Sequence, residues 1–220
     1  MAWREPLFLT NDDGIDAPGL HRLIQILHGR GHPIAVLAPA REQSATSMRL
    51  SLRTEMAFND RNDLAETLGL DSEGPPVRIF SLDGSPCDCT IVAIDQGFES
   101  WAQMIRPQMC ISGINFGPNI SLDVIHSGTV SAAREAGLYG LPAIALSLGT
   151  YLHEDFSVGT EAILKLIDRA LLVANTEPSN LMRTRGSKHQ PWGDPEMPMD
   201  ERIREAFPIF LDRKSIGREN

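Results

Sequence analysis

The sequence predicts an α/β fold, a Rossmann-like three-layer α/β/α domain on a mostly parallel sheet. Two observations carry this. Short, largely apolar runs alternate along the chain with segments of helical periodicity, the pattern of strand–helix–strand units. The first apolar run, Leu7 to Thr10, passes straight into a polar turn and then a helix, the opening unit of a parallel sheet. The size agrees: 220 residues, 42% hydrophobic and 22% charged, suit one domain with a substantial core.

Leu7 to Thr10 reads as a buried strand. Pro18 stands where a helix opens, with Leu20, Leu23, Ile24 and Leu27 on one face and Gly29 and Gly31 at its end. Ile34 to Ala38 is a second strand, stopped by Pro39. Residues 40–52 are polar and read as a functional loop, and the charged span from Asn59 to Pro76 reads as an exposed insertion. Strand character returns at Val77 to Leu82, helix at Asp88 to Phe98, and strand at Met109 to Ser112. Ser127-Gly128-Thr129 opens a helix over 131–138, Ala143 to Leu148 is a strand, and Val158 to Ala174 is a long amphipathic helix. Residues 1–175 are read as the catalytic domain. Residues 176–220 are read as a C-terminal tail, either an oligomerisation arm or partly disordered.

Composition narrows function. The net charge of -9 disfavours a broad nucleic-acid surface. No apolar stretch approaches the ~20 residues that cross a bilayer, and Met1 to Pro6 lacks a secretory core, so the expected location is cytoplasmic. Cys87, Cys89 and Cys110 lack metal or redox spacing and read as buried, reduced thiols.

Three polar segments fall at the carboxyl ends of predicted strands, where ligands gather in such sheets: residues 11–14, 112–119 and the 41–47 loop. Asp12 and Asp13 are adjacent carboxylates before Gly14, and their mutual repulsion is relieved by a cation. An oxygen-only set suits Mg2+, Mn2+ or Ca2+ rather than zinc. The alternative is that one of them caps the helix at Pro18 or closes a turn, and the doublet alone leaves both open. Asn115 and Asn119 offer amide groups to a metal or a phosphate, or serve turns. Ser127, Gly128 and Thr129 before a helix suit an anion, or form a plain cap. His126 is a general-acid candidate set against an ordinary solvated histidine. Arg41, Glu42, Arg134 and Glu135 read as solvated faces, with Arg134 also able to turn toward phosphate.

Taken in order, five stretches resemble the SurE family of metal-dependent 5'/3'-nucleotidases: Thr10 to Gly19 (TNDDGIDAPG), Ala38 to Ser44 (APAREQS), Gly84 to Asp88 (GSPCD), Ser112 to Gly117 (SGINFG) and Ser127 to Glu135 (SGTVSAARE). Each is weak alone; the ordered set, within residues 7–149, is specific. The resemblance implies one divalent metal ion per subunit, held by Asp12, Asp13, Ser44 and Asn115, with Asp12 and Asp13 also catalytic. It implies that Asn11, Asn119, Ser127, Gly128 and Thr129 face phosphate or substrate. It further implies hydrolysis of nucleoside 5'- and 3'-monophosphates, and of short polyphosphate, by a cytoplasmic homodimer or homotetramer. Two departures stand out: Ala45 to Arg49 replaces a Gly-rich, His-containing stretch, and the tail is short. Two rivals remain. One is an aspartyl-phosphate phosphatase, which needs D-x-D where Gly14 stands; the other is a non-catalytic nucleotide-binding module.

Overall fold

The computed structural model describes residues 3–103, 105–157 and 160–176. Its centre is a six-stranded sheet in the order β3-β4-β2-β1-β5-β6. The strands are β1 (Leu7–Thr10), β2 (Ile34–Pro39), β3 (Phe58–Asp60), β4 (Val77–Leu82), β5 (Met109–Asn115) and β6 (Ala143–Ser147). All pair in parallel except β3, a three-residue antiparallel edge on β4. The chain lays β2 and β4 on one side of β1, then returns to add β5 and β6 on the other. The order therefore reverses between β1 and β5, and such a switch point opens a crevice at the strands' carboxyl ends.

Alternation along the central strands divides the core in two, because successive side chains point to opposite faces. Leu7, Leu9 and Val36 pack with α1 (Pro18–Gly29) and α7 (Thr160–Thr176). Phe8, Ala35 and Leu37 face the other way, toward α3 (Pro86–Asp95), α4 (Phe98–Trp101) and α6 (Gly128–Leu138). Trp101 anchors that layer, its ring against Phe8, Phe58, Phe80 and Phe98. This is the three-layer arrangement the sequence predicts.

The 59–76 span is more ordered than an exposed insertion. It contributes to β3 and forms α2 (Asp63–Thr67), whose Leu64 is buried in the α1-side core. The third helix starts two residues before Asp88. Ser85 Oγ accepts from the Asp88 amide and Asp88 Oδ2 accepts from the Ser85 amide, a reciprocal cap that fixes the start at Pro86. Strand β5 runs three residues past Ser112, to Asn115. Glu135, read as solvated, is buried on α6. All three cysteines are buried and unbridged, and burial raises the pKa of each thiol. The tail over 176–220 lies outside the described residues, apart from the last residue of α7. No helix among the described residues is long and apolar enough to cross a membrane.

Candidate active site

The switch point between β1 and β5 carries the acidic doublet. Asn11 closes the turn after β1: its Nδ2 donates to the Gly14 carbonyl at 2.8 Å, and its Oδ1 accepts from the Gly14 amide at 3.2 Å. Both ends of this buried amide are thus engaged in the turn. Helix α1 has Ala17 at its cap with no side-chain bond. Neither Asp12 nor Asp13 is needed as the cap, and Asn11 supplies the turn. Gly14 has φ +99, and a Cβ there would sit 3.1 Å from the Arg41 carbonyl carbon and 3.2 Å from the Glu42 amide. A second aspartate at that place, as the D-x-D enzymes need, would be strained by the positive φ and would crowd this backbone.

Asp12 is 2% exposed and points at the start of α6. Its Oδ1 accepts from the Thr129 hydroxyl, and the nearby Thr129 and Gly128 amides favour its charged form. Burial nevertheless raises its pKa against these donors. Asp13 Oδ2 accepts from the Phe116 amide at 2.9 Å. Its pKa is pushed up to about 6, chiefly by burial, with the charges of Asp12 and Glu42 adding. Two carboxylates so placed are costly as bare anions.

Asn115, the last residue of β5, stands beside them. Its Nδ2 donates to the Phe116 and Gly117 carbonyls at 3.1 and 2.8 Å. That orients Oδ1 toward the Thr129 hydroxyl, 3.3 Å away, on the same side as Asp12. Ser44 is exposed and lines a cleft of about 230 Å³ together with Asp12, Asn115, Asn119, His126 and Ser127. The 43–47 loop is tied down by the Gln43 amide on the Asp12 carbonyl and the Ser47 amide on the His126 carbonyl. Ala45 and Ser47 take φ of 56° and 51°, left-handed values in the stretch where the family pattern is Gly-rich. For side-chain-bearing residues this costs on the order of 1–3 kcal/mol each.

A divalent cation fits this place. Among the described residues no three His, Cys, Asp or Glu cluster, so an ion here would rest on two carboxylates and the neutral oxygens of Asn115 and Ser44. That is a hard, oxygen-only set, and the ion's charge would offset those of the buried Asp12 and the half-buried Asp13. Asn119 is half-buried, its Nδ2 donating to Ser147 Oγ at 2.8 Å. Ser127 caps α6, its Oγ accepting from the Val130 amide. Both reach the cleft. Thr129 does not face it openly: the residue is fully buried and its hydroxyl holds Asp12. Gly128 presses on Asp12, with 2.7 Å between a Cβ built there and the Asp12 Cβ. Arg134 is exposed and touches Met48 Sδ at 3.8 Å, not the cleft.

The family model described as "Survival protein SurE" matches residues 7–189. The chain belongs to the SurE family. A 5'-nucleotidase SurE of Carboxydothermus hydrogenoformans is 38% identical over 168 residues, 75% of this chain and 58% of that protein. A 5'-nucleotidase SurE of Prochlorococcus marinus is 34% identical over 176 residues, 80% of this chain and 60% of that protein. The crystal structure of the SurE protein of Aquifex aeolicus superposes with a TM-score of 0.62 at 27% identity, covering 76% of this chain and 60% of that one. The chain therefore spans about 60% of the length of the SurE relatives it matches. The shared fold is the Rossmann-like α/β architecture described above.

Sequence reading alone missed three contributors. Thr46 sits within 3.0 Å of where a Gly128 Cβ would lie, Ser147 holds Asn119, and Tyr151 lines the cleft. Ser147 had a signal as a polar residue at the carboxyl end of a predicted strand, and Thr46 as part of the polar 41–47 loop.

Proposed function

We propose that this SurE-family chain is a metal-dependent phosphomonoesterase. It hydrolyses nucleoside 5'- and 3'-monophosphates to nucleoside and phosphate, and short polyphosphate by the same chemistry. The observation that carries this is the meeting of Asp12 and the Asn115 oxygen on the Thr129 hydroxyl at the β1/β5 switch point, with Asp13 bonded to the adjoining Phe116 amide. The relatives' description as 5'-nucleotidases supports it.

Asp12, Asp13, Asn115 and Ser44 are the residues that would hold one Mg2+, Mn2+ or Ca2+ ion. Such an ion supplies Lewis-acid polarisation of a phosphoryl oxygen and acidifies an attacking water. Thr129 and Gly128 act by fixing the Asp12 carboxylate. Ser127 and Asn119 stand at the cleft wall as the hydrogen-bonding groups for the phosphate. Asp12 or Asp13 would orient the water or take its proton; the Asp13 oxygen not bonded to the Phe116 amide is one candidate for that role.

Thr129→Val keeps the shape and removes the hydroxyl. Losing a group that orients a ligand typically weakens metal affinity about 10–100-fold. A calorimetric Mn2+ titration is expected to show that loss, with the circular-dichroism spectrum unchanged; wild-type affinity in the variant counts against the assignment.

The reading as a whole is tested by phosphate release from nucleoside 5'- and 3'-monophosphates and tripolyphosphate. The protein is stripped with chelator and resupplied with Mn2+, Mg2+ or Ca2+. Activity should disappear on stripping and return with metal. Nucleotide binding without phosphate release makes the chain a binding module instead, and a trapped phosphoenzyme revives the aspartyl-phosphate route.

A further inference from the structure

The rim of the cleft carries a side chain that the phosphate chemistry does not use. Tyr151 lines the same 230 Å³ cleft as Asp12, Asn115 and Ser127, yet its ring is 64% exposed. Exposure of this size in an aromatic next to a small polar cleft is usually surface chance unless the ring is held in place. Here it is held. Gly117 takes φ +96, and a Cβ on it would lie 1.8 Å from Tyr151 Cε1, so the ring rests on bare backbone. The other support is Phe116, edge-on at a centroid distance of 5.9 Å and an interplanar angle of 86°. The amide of Phe116 bonds Asp13, and its neighbour Asn115 supplies the second oxygen at the site. The ring is thus coupled through two residues to the carboxylate pair.

Cleft size gives the direction. Pockets that enclose a small ligand run from about 300 to 1,000 Å³. A cleft of about 230 Å³ takes the phosphate and part of a sugar, and leaves the remainder of a larger ester at the mouth. We propose that Tyr151 is the platform on which the substrate's nucleobase stacks, which makes the protein selective for nucleoside monophosphates over esters of non-aromatic alcohols. This rests on the phosphomonoesterase reading above and adds the specificity-determining residue to it. A flat π-face stacks on any of the bases, so the platform selects the class of substrate and not one base.

The test compares adenosine 5'-monophosphate with glycerol phosphate as substrates of the full chain with Mn2+. Stacking of a base on an aromatic side chain is worth about 5- to 150-fold by alanine substitution. Tyr151→Ala is expected to lower the ratio of kcat/KM for adenosine 5'-monophosphate over glycerol phosphate by that factor, mostly through KM, while Tyr151→Phe preserves the ratio. A Tyr151→Ala variant that keeps the wild-type ratio, whether both rates fall together or neither moves, overturns the proposal. If wild-type protein hydrolyses neither ester, equilibrium binding of adenosine 5'-monophosphate decides. Binding that Tyr151→Ala weakens supports the platform while the phosphatase reading fails; absence of binding sinks both.

Discussion

Replacing Asp13 with asparagine is expected to remove the protein's response to metal while leaving its fold intact. Asparagine has the same shape, and its oxygen can still accept from the Phe116 amide. The change removes a charge that burial, Asp12 and Glu42 all make costly. The metal-free variant is therefore expected to melt at the wild-type temperature or above it. In the wild type, a divalent ion at 100 times its Kd stabilises the folded state by about 2.7 kcal/mol. For a domain of this size that raises Tm by roughly 5–10 °C. The variant should lose this rise. Phosphate release should fall on the order of 10²–10³-fold, since Lewis-acid polarisation contributes several kcal/mol. Thermal melts with and without Mn2+, run beside a phosphate assay, check both. An Asp13→Asn protein that still shifts with Mn2+ and turns over normally removes Asp13 from the site.

The second large effect is expected at Gly128, from geometry rather than charge. An added methyl group would meet the Asp12 Cβ at 2.7 Å, Asp12 Oδ2 at 2.9 Å and Thr46 Oγ1 at 3.0 Å. Neither neighbour can yield freely. Asp12 is buried and bonded to Thr129, while Thr46 Oγ1 donates to the Gln43 carbonyl at 2.8 Å and the Gln43 amide bonds the Asp12 carbonyl. The crowding therefore moves the carboxylate. Overpacking of this kind costs about 1–3 kcal/mol, and a misplacement of about 1 Å at a reacting centre costs on the order of 10²-fold in rate. Gly137 provides the control within the same helix, because a Cβ there meets nothing within 4 Å. Gly137→Ala should keep activity and gain up to about 1 kcal/mol of stability from helix propensity. Equal activities for Gly128→Ala and Gly137→Ala would show that the close packing on Asp12 has no functional role.

The strands and main helices were legible because their signals are local. Leu7 to Thr10 and Ile34 to Ala38 are largely apolar runs, Val77 to Leu82 is a mixed run with β-branched and aromatic residues, and Pro18 and Gly29 mark the ends of α1. The elements that were missed or misplaced depend on distant partners. Strand β3 has no periodicity of its own and exists by pairing Phe58, Asn59 and Asp60 with Leu82, Ser81 and Phe80. The early start of α3 was readable in principle, since Ser85-x-x-Asp88 is a capping pattern.

The sequence by itself determined the fold class, the family and the identity of the acidic doublet, because adjacent residues and ordered motifs survive without coordinates. It left the roles within the site open. Whether Asp12 and Asp13 serve as caps or turn residues depended on who else does those jobs, and the fold gave the turn to Asn11 and left the α1 cap without a side-chain bond. It set the Thr129 hydroxyl on Asp12, 117 positions away in sequence. It also brought Tyr151 to the mouth of the cleft, on the bare backbone of Gly117. Hydrogen bonds and close packing between segments far apart in the chain leave no periodic trace in it, so only tertiary structure could decide them.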